Sequence, residues 1–205
     1  MKFLLALILL PTIAIAKDFV PSSFSTQYEE TTTSAANKKK VKKATGTIDY
    51  KFPGHIRIEV KTPDQSIAVV NQQKSWYYQP PFGSTKEPGT VTVQKSSKWP
   101  LIKLFDSLKN GVESNKLFKH KYVGKELVLV LVDTLQKEIG VKEFHFVSEK
   151  DPKTVKAIDE FDNFYMVNTS GPNVNYKFIN FKEGASFSAD HFVFDIPKNT
   201  KVINN

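Results

Sequence analysis

The side chains that could support acid–base or metal chemistry stand apart from one another in this sequence. Each histidine lies singly on a predicted strand or at a strand end, without HExxH, His-x-His or a carboxylate at the spacing of a metal site. This spacing favours ordinary core or surface histidines and predicts neither a metal site nor a cofactor. The four residues are His55, His120, His145 and His191.

The densest group of carboxylates is the segment AIDEFDNF at 157–164, which contains Asp159, Glu160 and Asp162. Side chains alternate in direction along a strand, so this spacing favours a solvated hairpin. A glycosidase-like carboxylate pair remains open from these residues alone. The chain has no GxSxG elbow, P-loop or GxGxxG motif, and we therefore predict a protein without enzymatic activity.

The N-terminus has the pattern of a secretory signal peptide. Lys2 precedes an apolar run from Phe3 to Leu10, and Ala14 and Ala16 form a small-x-small cleavage site. This predicts cleavage near Ala16 and one domain over residues 17–205, exported to the periplasm. The chain contains no cysteine, which excludes disulfides, cysteine nucleophiles and an acylated first residue of an exported lipoprotein.

The net charge of +8 comes almost entirely from lysine, and Arg57 is the single arginine. Because readers of nucleic acid rely on arginine, the basic charge is weak support for such a partner, and we expect none. The densest basic segment is KKKVKK at 38–43. It fits a solvated loop, or a surface for an acidic partner or anionic lipid headgroups. The possible partner contacts are therefore Arg57, Lys38, Lys39, Lys40, Lys42 and Lys43.

Residues 46–80 set the fold class. Short runs rich in Ile, Val, Tyr and Trp alternate with the turn signals Pro53-Gly54, Pro63-Asp64 and Asn71-Gln72. Similar runs recur to residue 196, which predicts about ten or eleven strands in an antiparallel meander. A twisted sheet of this size is expected to curl into an open, incomplete β-barrel. The run 127–132 is apolar on both faces and is expected in the middle of the sheet.

One segment has the period of a helix. Leu101, Leu104, Phe105 and Leu108 recur at helical spacing after Pro100, which predicts a short amphipathic helix that begins at this proline. Such a stripe fits either plain core or a lid over the sheet. The predicted architecture is therefore a mainly β protein with few helices, in which a short helical lid covers the curved sheet.

The succession of strands and turns resembles the outer-membrane lipoprotein carrier protein (LolA) family. The matching positions follow the order of strand, Pro-Gly turn, Arg-bearing strand, Pro-Asp turn and aromatic strand; they are Tyr50, Pro53, Gly54, Arg57, Pro63, Asp64, Trp76, Tyr78 and Pro80. Weaker matches continue through residues 24–28, 99–105 and 192–203. The resemblance implies a monomeric periplasmic carrier that shields the acyl chains of lipoproteins and takes them towards the outer membrane. It also implies an inner-membrane lipoprotein-releasing ABC transporter and an outer-membrane receptor as partners.

The resemblance and the strand alternation together suggest an acyl-chain cavity and its lid. The expected cavity residues are Phe52, Ile56, Ile58, Val60, Trp76, Tyr78, Val91 and Val93. The expected lid residues are Trp99, Leu101, Leu104, Phe105 and Leu108.

The chain departs from the family pattern at two places. In relatives, the arginine that precedes the Pro-Gly turn is thought to hold the lid shut. Phe52 takes its place here, which implies that the lid closes by apolar contact. The segment before residue 24 is also too short for the long first helix of the family.

Other functions remain open at this stage. They are a periplasmic carrier of another lipid, an envelope sensor or assembly module without catalysis, and, disfavoured by the missing motifs, a periplasmic enzyme.

Overall fold

The computed structural model describes residues 18–33, 41–83 and 87–205. It contains the strands β1 Ser23–Thr33, β2 Val41–Lys51, β3 His55–Thr62, β4 Ser66–Val70, β5 Lys74–Gln79, β6 Thr90–Lys95, β7 Phe118–Val123, β8 Glu126–Leu131, β9 Val141–Val147, β10 Asn163–Asn168, β11 Val174–Glu183 and β12 Lys201–Asn204. The helices are α1 Pro100–Leu108 and α2 Asp133–Ile139, and three 3-10 turns lie at Ser96–Lys98, Pro152–Thr154 and Ile158–Glu160.

All the strands belong to one 12-stranded sheet with the order β12-β6-β5-β4-β3-β2-β1-β11-β10-β9-β8-β7. The strands β1 to β6 form one meander and β7 to β11 a second, and β1 joins the two by pairing with β11. The two edge strands, β12 and β7, do not pair with each other, so the sheet stays open. This confirms the predicted mainly β fold with an open sheet.

The helices α1 and α2 cover one side of this sheet, which we call the helix face. Buried side chains of both helices share one hydrophobic cluster with buried residues of β1 to β4 and β7 to β9. On the opposite side, residues 187–194 cover β4 to β6 and form a second, smaller cluster. We call this second side the tail face.

Several local expectations were wrong. Strand β8 lies next to the edge strand β7, not in the middle of the sheet. Its second apolar face is nevertheless buried, because Val128 lies in register between Lys121 and His145 and is 0% exposed. The segments 155–159 and 192–196 are not strands, and the last strand, β12, pairs with β6 in parallel.

The sequence pattern also missed α2. This helix has seven residues and buries only Leu135, so its apolar stripe is too short to stand out. Gly140 ends it with a φ of 72°, a left-handed conformation that glycine adopts without strain.

Candidate functional site

A continuous array of aromatic rings lines the helix face. Neighbouring ring centroids lie between 4.8 Å for Phe24–Phe181 and 6.1 Å for Phe19–Phe146. We call this set the ring array; its members are Phe19, Phe24, Tyr28, Tyr50, Phe105, Phe146, Phe161, Phe164, Tyr176, Phe178 and Phe181. Such a surface is largely apolar and offers few directional bonds to a ligand.

Strand alternation places most of these rings on one face. Phe164 pairs with Phe146 on one side and with Tyr176 on the other, so the three rings stand in a row across β9, β10 and β11. Phe181 joins the same face through a bulge in β11 opposite Ser25 and Gln27, where Asn180 has a φ of 54°. The extra residue reverses the alternation after Phe178 and turns Phe181 inward.

One glycine makes room for the array. A side chain at Gly46 would lie 2.6 Å from the hydroxyl of Tyr28. Tyr28 therefore extends across β2 only because this position has no Cβ. Burial and the nearby carboxylate of Glu30 raise the pKa of Tyr28 to about 12, so the ring stays neutral at physiological pH.

Helix α1 covers the end of the array nearest to the turn between β2 and β3. It begins at Pro100, as predicted, and the ring of Phe105 lies 5.8 Å from that of Tyr50. All the residues expected in the lid pack into the helix-face cluster: Trp99, Leu101, Leu104, Phe105 and Leu108. The pattern omitted Ile102, which is 6% exposed and belongs to the same cluster.

Asp106 attaches α1 to the sheet by two hydrogen bonds. Its Oδ1 accepts from the hydroxyl of Tyr50 at 2.8 Å and from the backbone N–H of Gly54 at 3.2 Å. Burial, and then the hydrogen bond to this carboxylate, raise the pKa of Tyr50. The closure of the helix over this turn therefore uses a carboxylate on the helix, in addition to the apolar contact expected from Phe52.

A second attachment lies just after the helix. Lys109 donates to Oδ2 of Asp18 at 2.7 Å and lies 5.4 Å from the centre of the Phe52 ring. The hydrogen bond from Lys109 lowers the pKa of Asp18, against the opposing effect of burial. Phe52 itself is 39% exposed in the turn after β2, so it contacts the lid attachment and not the ring array.

The structure divides the expected cavity residues between the two faces. Ile56 and Ile58 lie on the helix face, and Val60 follows them on the same side as a half-buried residue. Trp76, Tyr78, Val91 and Val93 pack in the tail-face cluster instead. The register gives the reason: Val70 pairs with Ile56 and Ser75, which places Ser75 and Tyr77, not Trp76, on the helix face.

The C-terminal segment covers the tail face. Phe192 and Phe194 are 4% and 8% exposed against Val69, Trp76 and Val91. Polar contacts hold the backbone of this segment in place. The amide of Asn71 donates to the Phe192 carbonyl at 3.2 Å, and Arg57 donates to the His191 carbonyl at 3.4 Å.

Arg57 is thus engaged within the chain. Its Nε donates to Glu59 at 2.6 Å, and its side chain is 20% exposed. The imidazole of His191 lies 2.8 Å from Asp49. Of the expected basic contacts, Lys42 and Lys43 are exposed at the start of β2, whereas Lys38, Lys39 and Lys40 lie outside the described residues.

The remaining polar cluster surrounds His145, on the face of β8 to β10 that the helices leave uncovered. Its ring nitrogens lie 2.7 Å from Glu126 and 2.9 Å from Glu143, and the ring stacks on Tyr165 at 4.4 Å. The described part of the chain contains no group of three or more potential ligands placed to hold a metal ion. His120, His145 and His191 each lie beside a carboxylate, whereas the ring of His55 lies against Phe192 and its buried Nδ1 has no hydrogen-bond partner among the described residues. These separate histidines leave the ring array as the candidate site.

The sequence of the protein matches the family described as outer membrane lipoprotein carrier protein LolA over residues 21–195. The chain belongs to this carrier family. The family is one of non-enzymatic periplasmic carriers, and its fold suggests a role in binding lipoproteins or other lipids. The described part of the chain has no helix long and apolar enough to cross a membrane.

Solved structures resemble the chain only distantly. A LolA superfamily protein from Nitrosomonas europaea aligns with 7% identity over 85% of this chain and 91% of its own, with a TM-score of 0.44. A putative outer membrane lipoprotein-sorting protein domain from Vibrio parahaemolyticus aligns with 11% identity over 84% and 89%, with a TM-score of 0.42. No curated protein matches the sequence significantly. Membership of the carrier family therefore rests on the sequence match.

None of the residues expected in the cavity belongs to the ring array. Only Phe105, among the predicted lid residues, belongs to it. The signal was present in the sequence as aromatic residues two positions apart, in Phe144 with Phe146 and in Tyr176 with Phe178. The face to which they belong depends on the pairing of β1 with β11, which alternation within one strand does not reveal.

Proposed function

We propose that this protein is a periplasmic carrier that binds the acyl chains of lipoproteins on its helix face and ferries them from the inner membrane towards the outer membrane. This proposal rests on the ring array, which lies beneath a short helix that is attached to the sheet by few polar contacts. An inner-membrane lipoprotein-releasing ABC transporter would supply the cargo, and an outer-membrane receptor would take it. Cleavage of the signal peptide near Ala16 would release the carrier into the periplasm.

The hydrophobic effect provides the binding energy. Each methylene group removed from water contributes about 0.8 kcal/mol, and this gain needs no directional partner. A carrier that relies on it can pass its cargo to an acceptor with a comparable apolar surface, because no specific bond has to be broken. The ring array meets this requirement, since its members contact one another by ring faces and edges.

The same rings fill the space under α1. Phe105 packs on Tyr50, and Leu104 is 2% exposed, so an acyl chain has to displace the helix in order to reach the array. Displacement breaks the two hydrogen bonds of Asp106. A hydrogen bond to a charged group contributes about 1.5–3 kcal/mol, so the burial of roughly four to eight methylene groups offsets the loss of both bonds. We infer that acyl chains open the lid by mass action.

A release assay tests the proposal. The purified mature chain is incubated with spheroplasts, and the soluble fraction is analysed for triacylated lipoproteins. We expect lipoproteins in a stoichiometric complex with the carrier. Phospholipid without lipoprotein would move the function to another lipid cargo, and the absence of any lipid would contradict a carrier role.

Two matched variants locate the binding face. Phe178→Ser removes a half-buried ring from the helix face, and Tyr78→Ser removes a half-buried ring from the tail face. We expect the first to lower the amount of released lipoprotein at least about tenfold, since a buried phenylalanine contributes about 1.5–3 kcal/mol of apolar transfer energy. The second should release as much per folded molecule as the parent. Equal losses would show that the helix face is not the binding site.

A further inference from the structure

One end of the sheet carries its most exposed apolar side chain together with exposed lysines. At this end β1 stops at Thr33 and β2 begins at Val41, and the turn from Pro63 to Gln65 and residues 80–83 and 87–89 lie at the same end, because each strand runs antiparallel to its neighbour. We call it the hairpin end. The turn bound by Asp106 lies at the opposite end of the same strands.

Phe82 is 79% exposed, more than any other large hydrophobic residue of the described ranges. A single exposed apolar residue is common on a protein surface. Phe82, however, follows Pro80 and Pro81, whose rings restrict the backbone before it. The phenyl ring therefore lies on a loop of restricted backbone conformation. Its exposure to water does not stabilise the fold.

The β1–β2 hairpin projects beyond the rest of this half of the sheet. Strand β3 pairs with β2 only as far as Thr45, opposite Thr62, whereas β1 and β2 stay paired to Thr33 and Val41. The last four residues of the hairpin extend about 13 Å past this point. They include Lys42 and Lys43, both exposed, and Val41, which is 47% exposed.

Other charges at this end are mixed. Lys61 is exposed at the end of β3, and Asp64 and Glu87 are exposed beside the loop that carries Phe82. Glu29 faces Lys177 across the β1–β11 pair. In the projecting part of the hairpin, the β2 residues Val41 to Ala44 include two exposed lysines, and the paired β1 residues include one acidic side chain, the half-buried Glu30 opposite Ala44.

We propose that the hairpin end docks on an anionic phospholipid surface. Lys42 and Lys43 contact the headgroups, and the ring of Phe82 inserts between the headgroups. Lysines near such a surface each add attraction, and aromatic residues favour the boundary between headgroups and acyl chains. An acidic protein would use the lysines but would leave Phe82 in water. The inference concerns where the protein meets a membrane and holds for any lipid cargo.

Vesicle flotation tests this surface. The probes are vesicles of phosphatidylcholine alone and vesicles in which about one third of the lipid is phosphatidylglycerol, at low ionic strength. We expect the full mature chain to float with the anionic vesicles and not with the neutral ones. No flotation with the anionic vesicles would overturn the proposal and would leave an acidic protein as the partner of the lysines.

Variants of equal charge test the location of the contact. Lys42→Gln with Lys43→Gln should weaken partitioning roughly thirtyfold, because each lysine near an anionic surface contributes about a factor of five. The control, Lys125→Gln with Lys150→Gln, removes two exposed lysines from the opposite end and should keep the affinity of the parent. Equal losses in the two pairs would mean attraction by net charge alone, and would overturn the proposal.

Phe82→Ser tests insertion separately from charge. We expect it to lower partitioning about tenfold and to make the remaining binding fully reversible by salt. Unchanged partitioning at high salt would contradict insertion. Because all these variants leave the ring array intact, they should still bind a soluble acyl probe, and a failure to dock is thereby distinguished from a failure to bind cargo.

Discussion

The two faces of the sheet are covered in different ways. Helix α1 covers one face and is attached through Asp106 and, just beyond its end, Lys109. The segment 187–194 covers the other face and continues into β12, which pairs with β6 along its whole length. Displacement of the helix would expose its apolar side chains but would break no strand pairing, whereas the tail-face segment is anchored by a strand of the sheet. The comparison therefore favours the helix face as the side that would open to cargo under the proposed function.

The largest expected effect is on the tail face. Trp76→Ala should lower the free energy of unfolding by about 3–5 kcal/mol, because Trp76 is 8% exposed and its removal leaves a cavity under Phe192 and Phe194. Urea unfolding measures this loss. Binding of an acyl probe per folded molecule should not change. A folded variant that no longer binds the probe would show that the tail face takes part in cargo binding. Phe82→Ala, at an exposed position, serves as the control and should cost less than about 0.5 kcal/mol.

The next effect concerns the attachment of the helix. Asp106→Ala should lower the free energy of unfolding by about 2 kcal/mol, since it leaves the buried hydroxyl of Tyr50 without its acceptor. It should also speed amide hydrogen exchange in α1 and the uptake of an acyl probe. Ser107→Ala, which removes a bond to Leu104 within the same helix, is the control and should leave uptake unchanged. Equal uptake rates in the two variants would contradict the role of Asp106.

Ionisation of Tyr28 in the ring array is expected to lower the free energy of unfolding by about 1 kcal/mol between pH 9 and pH 11. The folded-state pKa of Tyr28 is raised to about 12, above the ordinary value of 10, so its stabilising contribution is complete below pH 10. That contribution is lost as the pH rises from 10 to 12, because the unfolded chain ionises first. Tyr28→Phe should therefore show a shallower loss of stability than the parent between pH 9 and pH 11 in urea titrations. Parallel losses in the two proteins would assign the alkaline sensitivity to other groups.

The smallest effect concerns the ion pair after the helix. Lys109→Ala should lower the free energy of unfolding by less than about 1 kcal/mol, because the side chains of Lys109 and Asp18 are 20% and 35% exposed. The effect should fade in acid as Asp18, whose folded pKa is lowered, takes up a proton. Thermal unfolding at neutral and acidic pH measures the difference. A loss as large as that of Asp106→Ala would show that the lid depends mainly on Lys109.

The strands could be predicted from the sequence because their turns and their alternation are local signals. Ile56 and Ile58 alternate with Arg57, and the structure keeps this alternation. The strand β4 interrupts the signal, since Ile67, Ala68, Val69 and Val70 are apolar on both sides. The apolar face changes sides across this strand, from Ile56 on the helix face to Trp76 on the tail face. The reason is that Phe192 and Phe194, distant in sequence, cover the second face.

The lid could be predicted for the same reason, as helical spacing is also local. Its polar attachment could not, because Asp106 meets Tyr50 and Gly54 only in the folded chain. The resemblance to the family implied an arginine at the position of Phe52, and therefore closure by apolar contact in this chain. The structure places a polar contact at the same turn but takes the charged group from the helix, as Asp106. A difference at one position of the pattern therefore does not imply that the contact itself is absent.

The order of the strands also has a consequence for the way the protein folds. The first strand of the described chain, β1, lies at the centre of the sheet, and it pairs with β11, the last strand but one. Strands β2 to β6 can join β1 in sequence, but its other edge stays unpaired until nearly the whole chain is available to fold. Pairing between such distant segments is slow, and an open edge invites aggregation. The nascent chain thus depends on protection of one specific edge, that of β1, until β11 arrives.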